Sequence, residues 1–261
     1  MKRLFLIPTF LLFFNGTLPE ENLASIETSS ELKKDNSTIS ITSKLNSFES
    51  YSESFYDCLN NKNLDNNLLT KGLKGYYALK GADKLANTKY LTLIDFNKTS
   101  NKKRCFVIDM ESKTIAHESI IAHGKNSGQL KASKFSNEPE SKMSSLGFYT
   151  TGAIYNGKYD YSLKINGLEY SNNNAFERGV VIHSADYATE EFLKSNGNVL
   201  GRSYGCPALP HKNYKTIIDK IKGGSCIFIY GKDRSYSRKS KLVKTHEFID
   251  SFYSDYLLQY S

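Results

Sequence analysis

A single cysteine, Cys206, lies between glycine and proline in the run Gly201–Pro210, which reads GRSYGCPALP. Gly205 has no Cβ, so the backbone can come close to a substrate there. Pro207 restricts Cys206 to an extended conformation. The apolar neighbours that would bury a structural thiol are missing from this run. The run therefore predicts an exposed loop that presents Cys206 as a reactive nucleophile.

A histidine ends the apolar segment Gly179–His183, which predicts a buried strand. A cysteine thiol needs a nearby base to become a thiolate at neutral pH. We therefore predict a Cys206/His183 pair in which His183 is the general base and lowers the pKa of the thiol. Its other ring nitrogen is expected to donate a hydrogen bond to Ser184 or to the backbone beside it, which would fix the tautomer.

Further segments accompany the cysteine loop and the histidine strand in a fixed order: Leu91–Phe96, Ala122–Gly124, Phe135–Asn137, Ser144–Gly147, Gly167–Glu169, Asn174–Arg178 and Gly223–Phe228. Together they resemble the murein L,D-transpeptidase catalytic domain family of the YkuD-like superfamily. The resemblance implies a mainly β fold, with an L,D-transpeptidase-type β-sandwich core, short flanking helices and a small helical N-terminal segment. It also implies a cysteine acyltransferase that acts on peptidoglycan stem peptides through a Cys206 thioester.

The chain departs from the commoner superfamily pattern at two positions beside the cysteine. Tyr204 stands where a histidine is common, and Ala208 stands where a polar Asn or Arg is common. Because a phenol cannot accept a proton at neutral pH, His183 is expected to be the only base.

The oxyanion hole and the peptide-binding groups are expected in and around the cysteine loop. Because Pro207 has no N–H, the oxyanion donors would be the N–H groups of Cys206, Gly205 or Tyr204, or the Tyr204 phenol. The other residues that we expect to contact or support the substrate are Ser203, Arg202, Ser184 and His123.

Two arginines flank these segments, and a guanidinium can bind a carboxylate through two hydrogen bonds. Arg202 is the one that we expect to bind the stem-peptide carboxylate. Arg178 is expected to brace its loop through a salt bridge, with Glu169 or Glu177 as its partner.

His123 ends another predicted strand and is expected to line or brace the active-site cleft. With His117 and His183 it could alternatively form a three-histidine zinc site. That alternative leaves the cysteine loop without a function, so we predict no metal and no cofactor.

The first residues have the pattern of an exported protein. Residues 1–17 start with basic side chains and continue into an apolar run of 11 residues, Leu4–Phe14, which is typical of a secretory signal. We therefore expect export to the periplasm or cell envelope. Residues 18–53 are rich in Ser, Thr, Asn, Lys and Glu, which predicts a disordered linker.

The remainder is expected to contain a helical annex at residues 54–88, one catalytic domain at 89–235 and a basic, aromatic extension at 236–261. The annex is predicted as two short helices, because glycines at 72, 75 and 81 interrupt its apolar spacing. A further helix is predicted over Asn213–Lys222. The predicted strands are Tyr90–Phe96, Cys105–Met110, Thr114–His123, Gly147–Tyr155, Tyr161–Ile165, Gly179–His183 and Cys226–Tyr230.

Two further cysteines, Cys105 and Cys226, lie on these apolar strands. We expect them to be buried thiols rather than a disulfide, because Cys is among the side chains most often buried. Since a catalytic Cys206 must stay reduced, the fold is not expected to depend on a disulfide network.

The formal net charge of +8 includes a basic cluster at Lys232–Lys244. This cluster favours weak contact with an anionic wall or membrane face, although a solvated surface explains it equally well. No motif for nucleic acid is present, and we predict none as a partner. Two alternatives to the transpeptidase stay open: an L,D-carboxypeptidase or endopeptidase that uses water as the acceptor, and a catalytically silent wall-binding module.

Overall fold

The computed structural model describes residues 24–157 and 160–260. The predicted signal segment, residues 1–17, lies outside this part. The chain divides into two compact units, residues 1–43 and residues 44–261. The fold described below is that of the second unit.

The first helix, α1, spans Ala24–Leu59, so most of the segment predicted as a linker is helical. Within the second unit, Phe48, Tyr51 and Phe55 recur at helical spacing and are buried. These aromatic side chains supply the apolar face that stabilises a helix by packing. The linker prediction was wrong here because most residues of this segment are polar, and the buried face of the helix consists of only a few aromatic side chains.

Helix α2 spans Asn66–Gly81 without a break at its glycines. Asp65 caps its N-terminus, where the Asp65 side chain accepts a hydrogen bond from Leu68 N at 2.9 Å. A Cβ on Gly75 would lie 2.0 Å from Phe148 Cζ, so this glycine allows the helix to lie directly on the sheet. The predicted break at the glycines was wrong: helix α1 ends and α2 begins on either side of residues 60–65.

The core of the second unit is one eight-stranded sheet in the order β3-β2-β1-β8-β4-β5-β6-β7. Strand β1 is buried along its whole length, and four of its six residues are apolar or aromatic. The mainly β class is therefore confirmed. The strands are β1 Tyr90–Asp95, β2 Cys105–Asp109, β3 Thr114–Ser119, β4 Gly147–Gly157, β5 Asp160–Gly167, β6 Val181–Ser184, β7 Ala208–Leu209 and β8 Cys226–Tyr230.

Two pairs of strands are parallel, β1 with β8 and β6 with β7, and the other neighbours are antiparallel. Just beyond β3, Ala122 forms an isolated bridge to Ala208 of β7, and Gly124 forms one to Ser203. These bridges connect the segment after β3 with β7 and the loop before it, and β3 and β7 are the two edge strands of the sheet. As a result the cysteine loop lies where the sheet nearly closes on itself.

The helices that follow the strands are α3 Glu190–Ser195, α4 Tyr214–Ile221, α5 Arg234–Lys239, α6 Lys241–Lys244 and α7 Phe248–Tyr260. Helix α4 confirms the helix predicted behind the cysteine loop. Helix α7 joins the core, since Phe248 and Phe252 are buried and the Phe248 ring lies 4.5 Å from that of Phe48. Within the described residues, no helix is both long and apolar enough to cross a membrane.

Cys105 and Cys226 are both buried free thiols, as predicted. They pair with opposite ends of β1: Cys105 with Ile94 and Cys226 with Leu91. Burial raises the pKa of Cys105 to about 12, so this thiol is unreactive at neutral pH.

Candidate active site

The parallel pair β6 and β7 positions the candidate nucleophile. His183 of β6 is in register with Ala208 of β7, and the His183 N–H donates to the Pro207 carbonyl at 3.4 Å. Cys206 precedes Ala208 by two residues, so it lies beside Val181. Strand β7 was not predicted, because two residues are too short to show a strand pattern.

Cys206 is a protonated thiol at rest. Its Sγ lies 3.7 Å from the Gly179 carbonyl oxygen, to which the thiol donates. Burial raises the pKa of Cys206, while the Val181 N–H and the Arg178 charge act against the rise. The prediction of a lowered thiol pKa was therefore wrong, because the loss of solvation outweighs the groups that stabilise the thiolate.

His183 is neutral, and one tautomer is fixed. The side chain is buried, and its Nδ1–H donates to the Ser184 carbonyl at 2.9 Å. Since a carbonyl can only accept, Nδ1 carries the proton and Nε2 is left as the proton acceptor. Burial lowers the pKa of His183, which keeps the imidazole neutral at pH 7. The hydrogen bond expected from the sequence is thus present, to the Ser184 backbone.

The cysteine loop is held in shape by Ser203. The Ser203 Oγ donates to the Cys206 carbonyl at 2.6 Å and accepts from the Gly205 N–H at 3.0 Å. Gly205 has a φ of +130°, and a Cβ there would lie 2.9 Å from the Met143 carbonyl oxygen. Only glycine fits this position without strain.

The bonds within the loop narrow the set of oxyanion donors. The Gly205 N–H is already used by Ser203. In the part of the chain that the structure describes, neither the Tyr204 nor the Cys206 N–H donates to another residue. Tyr204, two residues before Cys206, is 70% exposed.

Arg178 braces the segment that packs against the cysteine loop, since a Cβ on Gly205 would lie 3.2 Å from its Nη2. Its partners are backbone carbonyls and serine hydroxyls, not the predicted Glu169 or Glu177. Glu169 accepts instead from the Tyr236 hydroxyl and the Phe148 N–H, both at 2.8 Å. The four bonds of Arg178 run from Nη1 to Ser136 O (3.0 Å) and Ser145 Oγ (3.3 Å), and from Nη2 to Met143 O (2.6 Å) and Ser141 Oγ (3.3 Å).

Both ring nitrogens of His123 are used inside the protein. Its Nδ1 accepts from the Arg104 Nη2 at 2.8 Å, and its Nε2–H donates to the Gly128 carbonyl at 3.2 Å. Burial and the Arg104 charge lower the pKa of His123 to about 4. His123 therefore braces the site as a neutral ring and has no lone pair free for zinc, which removes the three-histidine alternative. No cluster of metal-binding side chains occurs among the described residues.

The role of Arg104 was not predicted from the sequence. This guanidinium is fully buried and donates to the Ile121 carbonyl from Nε at 3.0 Å and from Nη2 at 2.7 Å. Burial lowers the pKa of Arg104 to about 9. In the sequence, Arg104 precedes a strand and is typical of a solvent-exposed charged residue. Only the tertiary fold shows that its side chain contacts His123.

Arg202 lies on the His123 side of the loop. Its Nη1 is 3.5 Å from the Gly128 carbonyl, the same group that accepts from His123. The side chain is partly exposed. The Arg202 guanidinium, which we predicted to bind the substrate carboxylate, thus contacts the loop that contains Gly128.

Several solved structures are similar to this chain at low sequence identity. An L,D-transpeptidase from Mycobacterium smegmatis is 15% identical with a TM-score of 0.34, over 55% of this chain and 59% of that one. One from Mycobacterium tuberculosis H37Rv is 15% identical with a TM-score of 0.35, over 55% and 58%. One from Stackebrandtia nassauensis is 13% identical with a TM-score of 0.36, over 64% and 68%. The chain thus spans less than two thirds of the two mycobacterial proteins.

No curated protein matches the chain in sequence. A family model described as the L,D-transpeptidase catalytic domain matches residues 60–230, well over half of the chain. The match includes helix α2, which the sequence had placed in a separate annex, and the complete eight-stranded sheet. The chain therefore belongs to the L,D-transpeptidase catalytic domain family.

Proposed function

We propose that this protein is an exported cysteine acyltransferase that performs L,D-transpeptidation on peptidoglycan stem peptides, with Cys206 as nucleophile and His183 as general base. The donor is a tetrapeptide with a diamino acid at position three and D-alanine at position four. The observation that carries the proposal is the pairing of β6 with β7, which brings a glycine-framed thiol beside the strand of a histidine whose Nδ1–H donates to the Ser184 carbonyl.

In the first half-reaction, the Cys206 sulfur attacks the carbonyl carbon of the third residue while His183 Nε2 takes the thiol proton. The bond from that carbon to the D-alanine nitrogen breaks, and the nitrogen takes the proton from His183. D-Alanine leaves and a thioester remains. In the second half-reaction, an acceptor amine attacks the thioester, gives a proton to His183 and releases Cys206, which recovers its proton.

The neutral resting forms of Cys206 and His183 support transfer of the thiol proton to His183 during the attack on the substrate. Because burial keeps both Cys206 and His183 neutral, a preformed thiolate–imidazolium pair is not the stable resting state. General-base catalysis in the transition state fits two neutral groups. The N–H groups of Tyr204 and Cys206 would stabilise the oxyanion, with the Tyr204 phenol as a further donor.

The direct test is to incubate the purified protein with disaccharide-tetrapeptides and identify the products by mass. Transpeptidation predicts cross-linked dimers and free D-alanine, whereas hydrolysis by the same residues predicts disaccharide-tripeptide and no dimer. A silent wall-binding module would leave the substrate unchanged. Cys206→Ala should abolish turnover, and Cys226→Ala, a buried thiol away from the loop, should retain it.

The basic residues at Lys232–Lys244 form α5, α6 and the turns beside them. We propose that this surface assists weak contact with the anionic wall or membrane. Binding to wall fragments should then weaken as ionic strength rises, because such attraction is screened over about 10 Å at 0.1 M salt. Binding that does not change with salt would contradict this role.

A further inference from the structure

Lys142 and Tyr204 form a pair at the edge of the cysteine loop. The Lys142 Nζ lies 5.0 Å from the centre of the Tyr204 ring. Tyr204 precedes Cys206 by two residues and is 70% exposed. The pair therefore combines a cation with an apolar ring face beside the nucleophile.

The backbone at Lys142 is held in an unusual conformation. Its φ is +55°, in the left-handed region, which is unfavourable for a residue with a Cβ. The contacts on either side impose it: the Lys142 carbonyl accepts from Asn126 N at 3.0 Å, and the Met143 carbonyl accepts from Arg178 at 2.6 Å. Such strain is often found at functional sites.

Lys142 is better placed to bind substrate than the two arginines near Cys206. All four bonds of Arg178 run to the protein wall, and Arg202 approaches the Gly128 carbonyl. Among the described residues, no carboxylate pairs with Lys142, whose recorded partner is the Tyr204 ring. Its ammonium can therefore receive an anionic group of a ligand.

We propose that Lys142 and Tyr204 form the subsite for the terminal D-alanine of the donor. The ammonium pairs with the α-carboxylate and the ring packs against the methyl group. This inference rests on the proposed function and assigns its leaving-group recognition to Lys142 instead of Arg202. In D-alanine the carboxylate is one carbon removed from the nitrogen of the bond that breaks, so its binding group must lie close to Cys206. Tyr204 is two residues before Cys206, and a Cβ on Gly205 would lie 2.9 Å from the carbonyl oxygen of Met143, which follows Lys142.

The subsite predicts a preference for donors with a free carboxylate at position four. The test compares a disaccharide-tetrapeptide with the same molecule ending in a carboxamide. Wild type should have the higher kcat/KM for the carboxylate donor, by about fivefold if the pair is worth about 1 kcal/mol, as for a well-made exposed ion pair. Lys142→Asn should abolish this preference by raising KM for the carboxylate donor alone, and Lys142→Arg should retain most of it.

Asparagine is chosen because it tolerates a left-handed φ, so Lys142→Asn should fold at least as well as wild type. Glu140 has the same φ of +55° and is exposed, so Glu140→Asn is a matched backbone control that should leave the preference unchanged. An unchanged preference in Lys142→Asn, or its loss in Arg202→Gln instead, would overturn the inference. If wild type converts neither donor, it is the proposed function that fails.

Discussion

Burial has opposite effects on the pKa values of Cys206 and His183, and both effects favour the neutral form. The thiol pKa rises and the imidazole pKa falls. Each unit of difference between them costs about 1.4 kcal/mol for proton transfer before the attack. The groups that offset this cost are the Val181 N–H and the Arg178 charge, which both stabilise the thiolate.

The alkylation of Cys206 by iodoacetamide should follow from this balance. The rate should reach its midpoint above the ordinary thiol pKa of about 8.5, because only the thiolate reacts and its fraction at pH 7 is reduced. Arg178→Gln should move the midpoint further up, since it removes a positive charge, and Arg178→Lys should move it less. A wild-type midpoint below pH 8 would contradict the neutral resting thiol.

A carbapenem should acylate Cys206, as the family resemblance implies for a cysteine that forms thioesters. Acylation should be slow at pH 7 and faster at alkaline pH, because the resting thiol is protonated. Intact-protein mass after prolonged incubation measures the adduct, with Cys206→Ala as the control. If the adduct does not form while the thiol still alkylates, the substrate pocket differs from the one proposed.

Local sequence patterns predicted the longer strands, but they did not predict the elements whose structure depends on tertiary contacts. Strands β1, β2 and β8 were predicted because apolar residues predominate in each of them. Strand β7 was not predicted, because its two residues form a strand only by pairing with β6. Gly75 was taken for a helix break, although its missing side chain makes room for Phe148.

Gly75→Ala should therefore destabilise the protein although alanine favours helices. A Cβ at 2.0 Å from Phe148 Cζ would force the buried ring or the helix to move. Such overpacking costs about 1–3 kcal/mol, against about 1 kcal/mol gained in helix propensity. Urea unfolding measures the balance. Asn67→Ala on the exposed side of α2 is the control, and a more stable Gly75→Ala would contradict the close packing of helix and sheet.

At the scale of the whole molecule, the C-terminal helix completes the core of the second unit. The Phe252 ring lies 5.1 Å from both Phe48 and Tyr51 and 5.4 Å from Tyr77. From the sequence we predicted residues 236–261 only as an extension. Their packing was not predicted, because the partners of these aromatic residues are about 200 residues away in the chain.

Phe252→Ala should lower the free energy of unfolding by about 3–5 kcal/mol, the usual cost of truncating a buried aromatic. Leu258→Ala on the same helix should change it by less than about 0.5 kcal/mol, because Leu258 is 78% exposed. Equal effects of the two substitutions, measured by urea unfolding, would show that α7 does not pack as described.

The candidate site was predictable where its residues carry local signals. From the loop glycine, the proline and the strand-ending histidine, we predicted that Cys206 and His183 lie together, and the structure pairs their two strands. The hydrogen bond from His183 to Ser184 was predicted because the two residues are adjacent in the chain. The bracing by Arg104 and the position of Lys142 were not predictable, because each depends on segments that only the closed sheet brings together. The thiol pKa was misjudged because burial cannot be read from flanking residues.

The central claim, a thioester on Cys206, is tested most directly by the intact mass of the protein during reaction with a disaccharide-tetrapeptide at limiting acceptor. We expect a covalent adduct whose mass equals that of the donor minus D-alanine. It should be located on the Cys206 peptide, absent in Cys206→Ala and present in Cys226→Ala. An adduct on another residue, or substrate turnover that persists in Cys206→Ala, would contradict it.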